Sequence, residues 1–374
     1  MLDGSEDLER TGEQLRILHT GDLHFGASLG GFSLLAEQEE LVSELLALVE
    51  RERVGAVLLT GDIFDRAVSS GEAIELYDRF LTALCGKCPV YLIAGNHDGA
   101  ARLASLAGLL RGAGLFVQGS LRARPVPIRQ EDVEFWLIPY FQVKQVRSLY
   151  PEAGIRSVND AMQVMMDDVR ARRDPNTVTV VAAHCLVGGA VFCESDTAAA
   201  VGGAGRVRPE VFEGIHYAAL GHLHQAQQPA ANIRYAGAPY PYSFSEGEKT
   251  VTVFDTGSGE ITELPMKRQR TLRTMSGRYG EILGQSPSED YLRIELTDRD
   301  AGPETLNALR AKFPRLVMLL GRQGKAAAET EAPHLPAELL AQFCEEIGGA
   351  PAERAHMALF MKLLKEVQEG GAEQ

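Results

Sequence analysis

Long apolar runs are missing from this 374-residue chain, and no apolar stretch approaches the roughly 18–20 residues that cross a bilayer. The first ten residues are too acidic and polar to form a signal peptide. We therefore expect a cytoplasmic protein. Apolar residues make up 45% of the sequence and charged residues 24%, which is typical of a soluble globular chain with two or three structural units.

Cysteine is scarce, and its five positions argue against a disulfide framework or a structural zinc site. Cys85 and Cys88 have the spacing of a metal-binding pair, but no second pair of matching spacing completes a tetrahedral site. Cys185, Cys193 and Cys344 are isolated. Free thiols suit a reducing compartment.

Positive charge is also in deficit, since 37 Lys and Arg face 51 Asp and Glu for a net charge of −14. A nucleic-acid-binding protein usually carries a basic patch, which the average composition does not supply. Bound divalent cations would offset part of the negative charge at a site. One basic strip predicts a phosphate-contacting surface, with a solvated linker as the alternative interpretation. It consists of Lys267, Arg268, Arg270, Arg273 and Arg278.

The chain does contain five polar motifs, each of which follows an apolar run that predicts a buried strand. In chain order they are Asp22-Leu-His24, Gly61-Asp62-Ile-Phe-Asp65, Gly95-Asn96-His97-Asp98, His184 and Gly221-His222-Leu-His224. Ligand-type residues at the carboxyl ends of strands are where an α/β scaffold places its site. Taken singly, Asp-x-His occurs by chance in many proteins, Gly-Asp-x-x-Asp is most often a turn or a helix cap, and a lone histidine is more often a core residue than a ligand. Their order and shared position at strand ends argue against a purely structural role.

These residue types match what two adjacent divalent cations require. Such a site needs a bridging carboxylate, with imidazole and oxygen ligands on either side. Asp62 is the expected bridge, because the preceding glycine lets the backbone turn sharply away from the strand. His222 and His224 alternate along one extended segment, so each ion can receive one of them. Nitrogen and oxygen ligands without thiolate favour Mn, Fe or Zn over calcium. His97, beside the candidate ligand Asn96, is placed to face the phosphate.

The five motifs resemble those of the calcineurin-like metallophosphoesterases, and flanking segments resemble the branch that contains bacterial DNA-repair nuclease subunits. The flanking segments are residues 17–24, 201–203, 217–227 and 237–246, and the resemblance covers about residues 15–262. It implies a manganese-dependent DNA nuclease, with double-strand exonuclease and single-strand endonuclease activity in DNA repair and recombination. It also implies a coiled-coil ATPase partner and a homodimer.

The resemblance further implies a role for each motif residue. One ion would be held by Asp22, His24, Asp62 and His224, and the other by Asp62, Asn96, His184 and His222. His97 would be the catalytic histidine that stabilises the phosphate or protonates the leaving oxygen, and Asp65 would orient His97 or water. Gly21 departs from the pattern, because relatives usually carry Ser or Ala there. Asp65 stands where some archaeal relatives have a histidine.

The predicted fold is α/β, a four-layer metallophosphoesterase in which helices flank a β-sandwich, with a small α+β capping domain and C-terminal helices. The predicted units are residues 1–14 (disordered extension), 15–264 (nuclease domain), 265–323 (DNA-binding capping domain), 324–336 (linker) and 337–374 (partner-binding helices). The predicted helices are 37–53, 72–84, 100–111, 159–173 and 303–313. The predicted strands include a pair within 121–140, short strands within 229–264, and 291–296 and 316–320.

Two apolar helix faces bear on the partners. Those of residues 72–84 and 100–111 fit either the domain core or a homodimer interface, and the resemblance favours the homodimer. The face of residues 352–369 fits either packing on its own chain or docking onto an ATPase partner, and the resemblance favours the partner. Two other functions remain as alternatives. They are hydrolysis of a small nucleotide phosphodiester, against which the basic strip and the extra C-terminal module argue, and a non-catalytic scaffold, against which the intact motifs argue.

Overall fold

The computed structural model describes residues 15–193, 196 and 205–322. The predicted N-terminal extension, the linker 324–336, the helices within 337–374, Cys344 and the segment 201–203 lie outside these residues. Within the described part of the chain, no helix is long and apolar enough to cross a membrane.

The first of two large sheets contains six strands. Its strands, in spatial order, are β14 (Ile261–Pro265), β13 (Thr250–Asp255), β1 (Arg16–Thr20), β4 (Ala56–Thr60), β5 (Val90–Ile93) and β6 (Leu115–Gln118). Strands β1, β4, β5 and β6 run parallel to one another, whereas β13 lies antiparallel to both of its neighbours. A short hairpin of β2 (Ser28–Leu29) and β3 (Phe32–Ser33) follows β1.

The second sheet also contains six strands and faces the first. Its order is β11 (Gln227–Ala230), β12 (Ile233–Tyr235), β10 (Tyr217–Gly221), β9 (Val178–His184), β8 (Val133–Ile138) and β7 (Ile128–Gln130). The four central strands are parallel and the two edge strands are antiparallel. Strands β7 and β8 form the pair that the sequence predicted within residues 121–140.

Helices cover the outer face of each sheet. They are α1 (Leu35–Arg51) and α2 (Gly71–Cys85) on the first sheet, and α5 (Val143–Leu149) and α6 (Val158–Arg172) on the second. In β4, Val57 and Leu59 pack in the core under the first pair of helices, whereas Ala56 and Leu58 pack between the sheets. Both faces of the strand are buried, as a central parallel strand requires. This arrangement confirms the predicted four-layer α/β fold.

The helix predicted at residues 100–111 is wrong as a continuous element. The chain forms α3 (Ala100–Leu103) and α4 (Ala107–Leu110), followed by a 3₁₀ turn at Arg111–Ala113. Leu106 separates the two helices with a φ of 59°, in the left-handed region that a continuing helix cannot contain. Apolar spacing suggested one helix, but Gly108 and Gly112 lower the helix propensity of this segment.

The last described part is a small unit with its own apolar core. It contains β15 (Leu272–Gly277), α7 (Tyr279–Gly284), β16 (Tyr291–Leu296), α8 (Pro303–Lys312) and β17 (Leu316–Leu320). Its three strands are parallel and alternate with the helices, which is more regular than the expected α+β arrangement. Each helix carries the chain back to the start of the next strand. Its role as a DNA-binding capping domain stays a prediction.

Candidate metal centre

All five motifs follow strands whose carboxyl ends meet at one edge of the sandwich. Strands β1, β4 and β5 of the first sheet and β9 and β10 of the second carry them, as the apolar runs predicted. The sheets approach closely here, because a Cβ atom on Gly221 would lie only 2.0 Å from the main-chain oxygen of Thr60. A glycine at this position therefore lets side chains from both sheets share one site.

The loops after β1 and β4 adopt a backbone conformation that non-glycine residues disfavour. Asp22, His24 and Asp62 have φ values of 50°, 44° and 47°. Main-chain bonds hold the loops together, since the Asp22 N–H donates to the carbonyl of Gly61 at 2.9 Å and the His24 N–H to that of Asp62 at 3.0 Å. Strain of this kind is typical of functional sites.

Asp98 joins the loops after β4 and β5. Its carboxylate accepts main-chain N–H bonds from Gly95 at 2.8 Å, Phe64 at 2.9 Å and Ile63 at 3.2 Å. Burial, together with the nearby Asp62 carboxylate, raises the pKa of Asp98 to about 6. The sequence prediction gave this residue no role, although an acid directly after Asn-His in a predicted loop was a signal for one.

Nitrogen and oxygen atoms that can act as metal ligands converge around the ring of His184. The Nδ1 atom donates to the carbonyl of Thr60 at 2.8 Å, so in the neutral ring Nε2 carries the lone pair. Nε2 lies 2.9 Å from Asn96 Oδ1, 3.3 Å from His222 Nδ1 and 3.4 Å from Asp62 Oδ2. Placing buried acceptor atoms this close together costs free energy unless a proton or a metal ion lies between them.

A second convergence involves His24 and His224, whose Nε2 atoms lie 3.1 Å apart. Two groups bring their ligand atoms within 4.8 Å of one another: Asp22, His24 and His224, and Asp22, Asp62 and His184. Each donor set holds imidazole nitrogen and carboxylate oxygen without thiolate, which fits a transition-metal or zinc ion. Asp22 is common to both groups, whereas the predicted bridge Asp62 belongs to one.

The charged groups of this cluster shift one another's pKa values. Burial raises the pKa of Asp22 to about 7, whereas His184, His24 and His97 hold the pKa of Asp62 well below its ordinary value against the effect of burial. Burial would lower the pKa of His184, but the Asp62 and Asp22 carboxylates raise it to about 9. The two carboxylates thus favour a positive charge at the point where the acceptors converge.

Burial favours the neutral form of two other imidazoles. It lowers the pKa of His24 to about 3 and that of His222 to about 4. A neutral imidazole is the form that binds a metal ion, so these two rings need lose no proton when an ion enters.

His97 lies on the open side of the site, where its side chain is exposed. The ring Nδ1 donates to the main-chain carbonyl of Asp65 at 2.9 Å, and the main-chain N–H of His97 donates to Asp62 Oδ1 at 2.9 Å. The Asp65 carboxylate lies instead 3.9 Å from His24 Nδ1 and 3.3 Å from Arg66 Nε. The backbone of Asp65 therefore contacts the His97 ring. The sequence had suggested that the Asp65 side chain would make this contact.

A cavity of about 350 Å³ opens above the cluster. Its lining includes His24, Asp62, Asp65, Asn96, His97, Asp196, His222, His224 and Tyr242. His184 and Asp22 lie beneath it, with exposed fractions of only 1% each. All the predicted catalytic and metal-ligating residues other than these two thus face a common space that can admit a phosphate group.

The basic strip is partly neutralised by the fold. Arg270 Nη1 lies 2.8 Å from Glu37 Oε1, and Arg273 Nη1 lies 3.0 Å from Asp290 Oδ2. Glu37 comes from α1, more than 200 residues earlier in the chain, so the sequence near the strip does not show this partner. Two of the five predicted phosphate-contacting side chains therefore already bind carboxylates.

The sequence matches the family model described as calcineurin-like phosphoesterase over residues 15–226, more than half of the chain. The chain belongs to this family. It is accordingly a metal-dependent phosphodiesterase hydrolase, and the matched residues include every motif at the sheet edge.

Individual proteins also resemble the chain, in sequence or in structure. The chain is similar to the SbcD subunit of the nuclease SbcCD of Staphylococcus epidermidis, with 26% identity over 317 residues, which are 82% of this chain and 85% of the relative. Among solved structures, an archaeal phosphodiesterase matches 67% of this chain and 99% of its own at 13% identity and a TM-score of 0.33. A dimetal phosphatase from Danio rerio matches 68% and 99% at 12% identity and a TM-score of 0.36. At these TM-scores the two structures resemble the chain only loosely.

Proposed function

We propose that the chain is a metal-dependent DNA nuclease, with double-strand exonuclease and single-strand endonuclease activity, and that it forms the nuclease subunit of an SbcCD-like complex in DNA repair and recombination. The observation that carries the proposal is the pair of buried donor groups that share Asp22 beneath an open cavity. The similarity to a nuclease subunit across 82% of the chain supports DNA as the substrate.

In this proposal two divalent ions, most suitably Mn²⁺ with Fe or Zn as alternatives, occupy the converging donors. One set comprises Asp22, His24, Asp62 and His224, and the other Asp62, Asn96, His184 and His222. When bound, such ions polarise the phosphate and make a water molecule nucleophilic near neutral pH. Asp62 would belong to both sets. Its carboxylate interacts electrostatically with His184 and with His24, which are one imidazole from each set.

The remaining groups hold the substrate and move a proton. The His97 ring is exposed at the cavity, and the carbonyl of Asp65 accepts its Nδ1–H, which leaves Nε2 for the phosphate or the leaving oxygen. Asp98 fixes the loop that carries His97 to the loop that carries Asp62. The proposal thus gives His97 a role in the transition state and Asp98 a role in its placement.

The proposal includes two protein partners. An SbcC-like coiled-coil ATPase would bind residues 337–374, outside the described part of the chain. A second copy would pack on a groove of about 540 Å³ between α2 and the broken α3–α4 segment. Tyr77, Leu81, Leu103 and Leu110 line it, and Leu109 beside it is 77% exposed. Asp78, Thr82, Arg102 and Ser105 also line the groove, so its wall is mixed, and the exposed Leu109 beside its apolar part supports a homodimer.

Hydrolysis of a small nucleotide phosphodiester is the second candidate. The ion pairs of Arg270 and Arg273 favour it, because they remove part of the basic strip that argues for a polymer substrate. The cavity over the metal centre is also wide enough for a single nucleotide.

The test is a Mn²⁺-dependent cleavage assay on three substrates: an end-labelled linear duplex, a closed circular single strand and bis(p-nitrophenyl) phosphate. We expect cleavage of all three by the metal-loaded chain and loss of activity with EDTA. The closed circle isolates endonuclease activity, because it has no end. Hydrolysis of the small diester alone would favour the second candidate, and a folded chain that cleaves none of the three would indicate a scaffold.

A further inference from the structure

Residues 236–249, all within the described chain, contain no helix or strand but pack tightly over the metal centre. The Tyr242 hydroxyl donates to the carbonyl of Leu23, and its ring lies 5.2 Å from that of His24 and 5.7 Å from that of His224 between centroids. The Ala238 N–H donates to the carbonyl of His224 at 3.0 Å. This segment therefore touches His24 and His224, the two imidazoles in the proposed ligand set of Asp22, His24, Asp62 and His224.

A buried ion pair closes the segment. The side chains of Glu246 and Lys249 are 0% and 3% exposed, and the Lys249 ammonium contacts Glu246 Oε2. Removing two charges from water is costly, and such pairs are weak contributors to stability. The groups that the pair contacts are therefore more informative than the pair itself.

The pair holds His224 at two points. The carboxylate oxygen Glu246 Oε1 lies 3.4 Å from His224 Nδ1 and also accepts the Tyr242 N–H at 3.1 Å. Lys249 Nζ donates to the carbonyl of His224 at 2.8 Å. One partner thus fixes the ring of His224, and the other fixes its main chain.

The hydrogen bond also selects the tautomer of the ring. A carboxylate can only accept, so the proton lies on Nδ1 of His224 and the lone pair of the neutral ring lies on Nε2. Nε2 is the atom that lies 3.1 Å from His24 Nε2, in the donor group that includes Asp22. The acidic partner therefore presents the ligand nitrogen on the side where the other donors meet.

We propose that Glu246 and Lys249 are positioning residues, which set the tautomer and orientation of His224 for one ion of the proposed pair. The inference rests on the metal centre of the proposed function and adds two residues to it. Ligating histidines usually bond a carboxylate or carbonyl through their second nitrogen, and loss of that partner typically weakens metal binding about 10–100-fold.

A matched control separates positioning from packing. Glu134 is also fully buried, and its carboxylate lies 2.8 Å from Arg129 and accepts the Asp174 N–H at 3.2 Å. It pairs with Thr179 in the second sheet, five residues before His184 along β9. Its removal leaves the exposed Arg129 without this buried carboxylate partner and does not touch the donor groups.

The experiment is calorimetric titration of the full-length, metal-stripped chain with MnCl₂, together with the thermal unfolding midpoint of each apo form. We expect two bound ions in the wild type. Glu246→Ala should weaken one of them about 10–100-fold and leave the other within about twofold. Glu246→Gln should lose less, because the amide oxygen still accepts from Nδ1. Glu134→Ala should keep both wild-type affinities even if its midpoint falls.

Wild-type affinity for both ions in folded Glu246→Ala would overturn the positioning role. If that variant does not fold, Glu246→Gln provides the test. It should bind one Mn²⁺ ion measurably more weakly than Glu134→Ala does. Equal Mn²⁺ affinities of these two variants would overturn the inference. A folded wild-type chain that binds no Mn²⁺ would refute the metal centre and this inference with it. A wild type that binds two ions beside an unaffected Glu246 variant would refute the inference alone.

Discussion

Individual residues at the metal centre are held in conformations that the chain would avoid elsewhere. Asp22, His24 and Asp62 have left-handed backbones, and His222 has a φ of 108°. Each such residue costs about 1–3 kcal/mol and persists only where the surrounding structure holds it in place. Here the Asp22 carboxylate accepts the His222 N–H at 3.1 Å, so the strained residues of the two sheets restrain each other.

Substitutions at Asp62 and His97 should separate metal binding from turnover. Asp62→Asn should abolish hydrolysis and weaken both ions, because the variant loses the proposed bridging charge. His97→Ala should keep both ions and lose about 10²–10⁴-fold in kcat, because the ring acts on the transition state. Metal analysis of the purified variants and steady-state kinetics measure these effects. Loss of both ions in His97→Ala would contradict the role of His97.

Asp22→Asn is the comparison that tests the bridge, since Asp22 is the carboxylate shared by both donor groups. If Asp62 bridges, Asp22→Asn should weaken one ion and spare the other. The opposite pattern, with both ions lost in Asp22→Asn and one in Asp62→Asn, would move the bridge to Asp22.

His19 should make the stability of the fold depend on pH. It is buried between the sheets, where Nδ1 lies 2.8 Å from the Tyr217 hydroxyl and Nε2 lies 3.3 Å from Thr60 Oγ1. Burial, together with Arg234, lowers the pKa of His19 from 6.5 to about 3. Below pH 6.5 the unfolded chain therefore binds a proton that the folded chain does not.

The contribution of His19 to stability is thus fully present above pH 6.5 and is lost as the pH falls towards 3, by about 1.4 kcal/mol per pH unit. Between pH 7.5 and pH 5, the wild type should lose about 2 kcal/mol more unfolding free energy than His19→Gln, whose amide does not titrate. Urea unfolding at the two pH values measures the difference. Equal losses in the two proteins would show that His19 is protonated as easily in the folded state as in the unfolded one.

At the scale of elements, the close approach of β10 to β4 depends on the absence of a side chain at Gly221. Gly221→Ala should destabilise the fold by about 1–3 kcal/mol, because its Cβ would meet the Thr60 carbonyl, which is backbone and cannot move aside. The same carbonyl accepts from His184, so Mn²⁺ affinity should fall as well. Thermal unfolding and metal titration measure the two effects.

Gly112→Ala is the control for that substitution, since a Cβ atom there meets nothing within 4 Å. It should leave Mn²⁺ affinity unchanged. If Gly221→Ala behaves like Gly112→Ala, the sheets do not need to approach as closely as the structure indicates.

The strands were predictable because their signal is local. The runs before Asp22, Asp62 and Asn96 are apolar on both faces, as strands in the middle of a sandwich must be. The break at Leu106 was not predictable, because apolar spacing continues through it. Nor were the contacts of Glu246 with His224, which depend on a segment without helix or strand.

At the scale of the whole molecule, the groove between α2 and α3–α4 predicts self-association. Leu109→Glu should convert the proposed homodimer to a monomer, because a charge would have to be buried at the proposed interface. Val126, which is 60% exposed outside the groove, provides the control, and Val126→Glu should stay dimeric. Light scattering across micromolar concentrations measures the mass. A monomeric wild type over this range would contradict the homodimer.

The site as a whole was only partly predictable from the sequence. The residue types and their order indicated a two-metal centre, since Asp22, Asp62 and His184 follow readable strands. Charge partners between distant segments were not readable, because Glu37 meets Arg270 only in the folded chain. Long-range pairs of this kind are fixed by packing, which leaves no mark near either residue.

Neither sheet holds a complete set of donors. The loops after β1, β4 and β5 supply the carboxylate and amide oxygens, whereas β9 and β10 end in three of the four candidate imidazoles. A chain in which only one sheet has formed would therefore offer neither ion its complete set of candidate ligands. A complete site, and with it hydrolysis, therefore requires that the two sheets dock against each other.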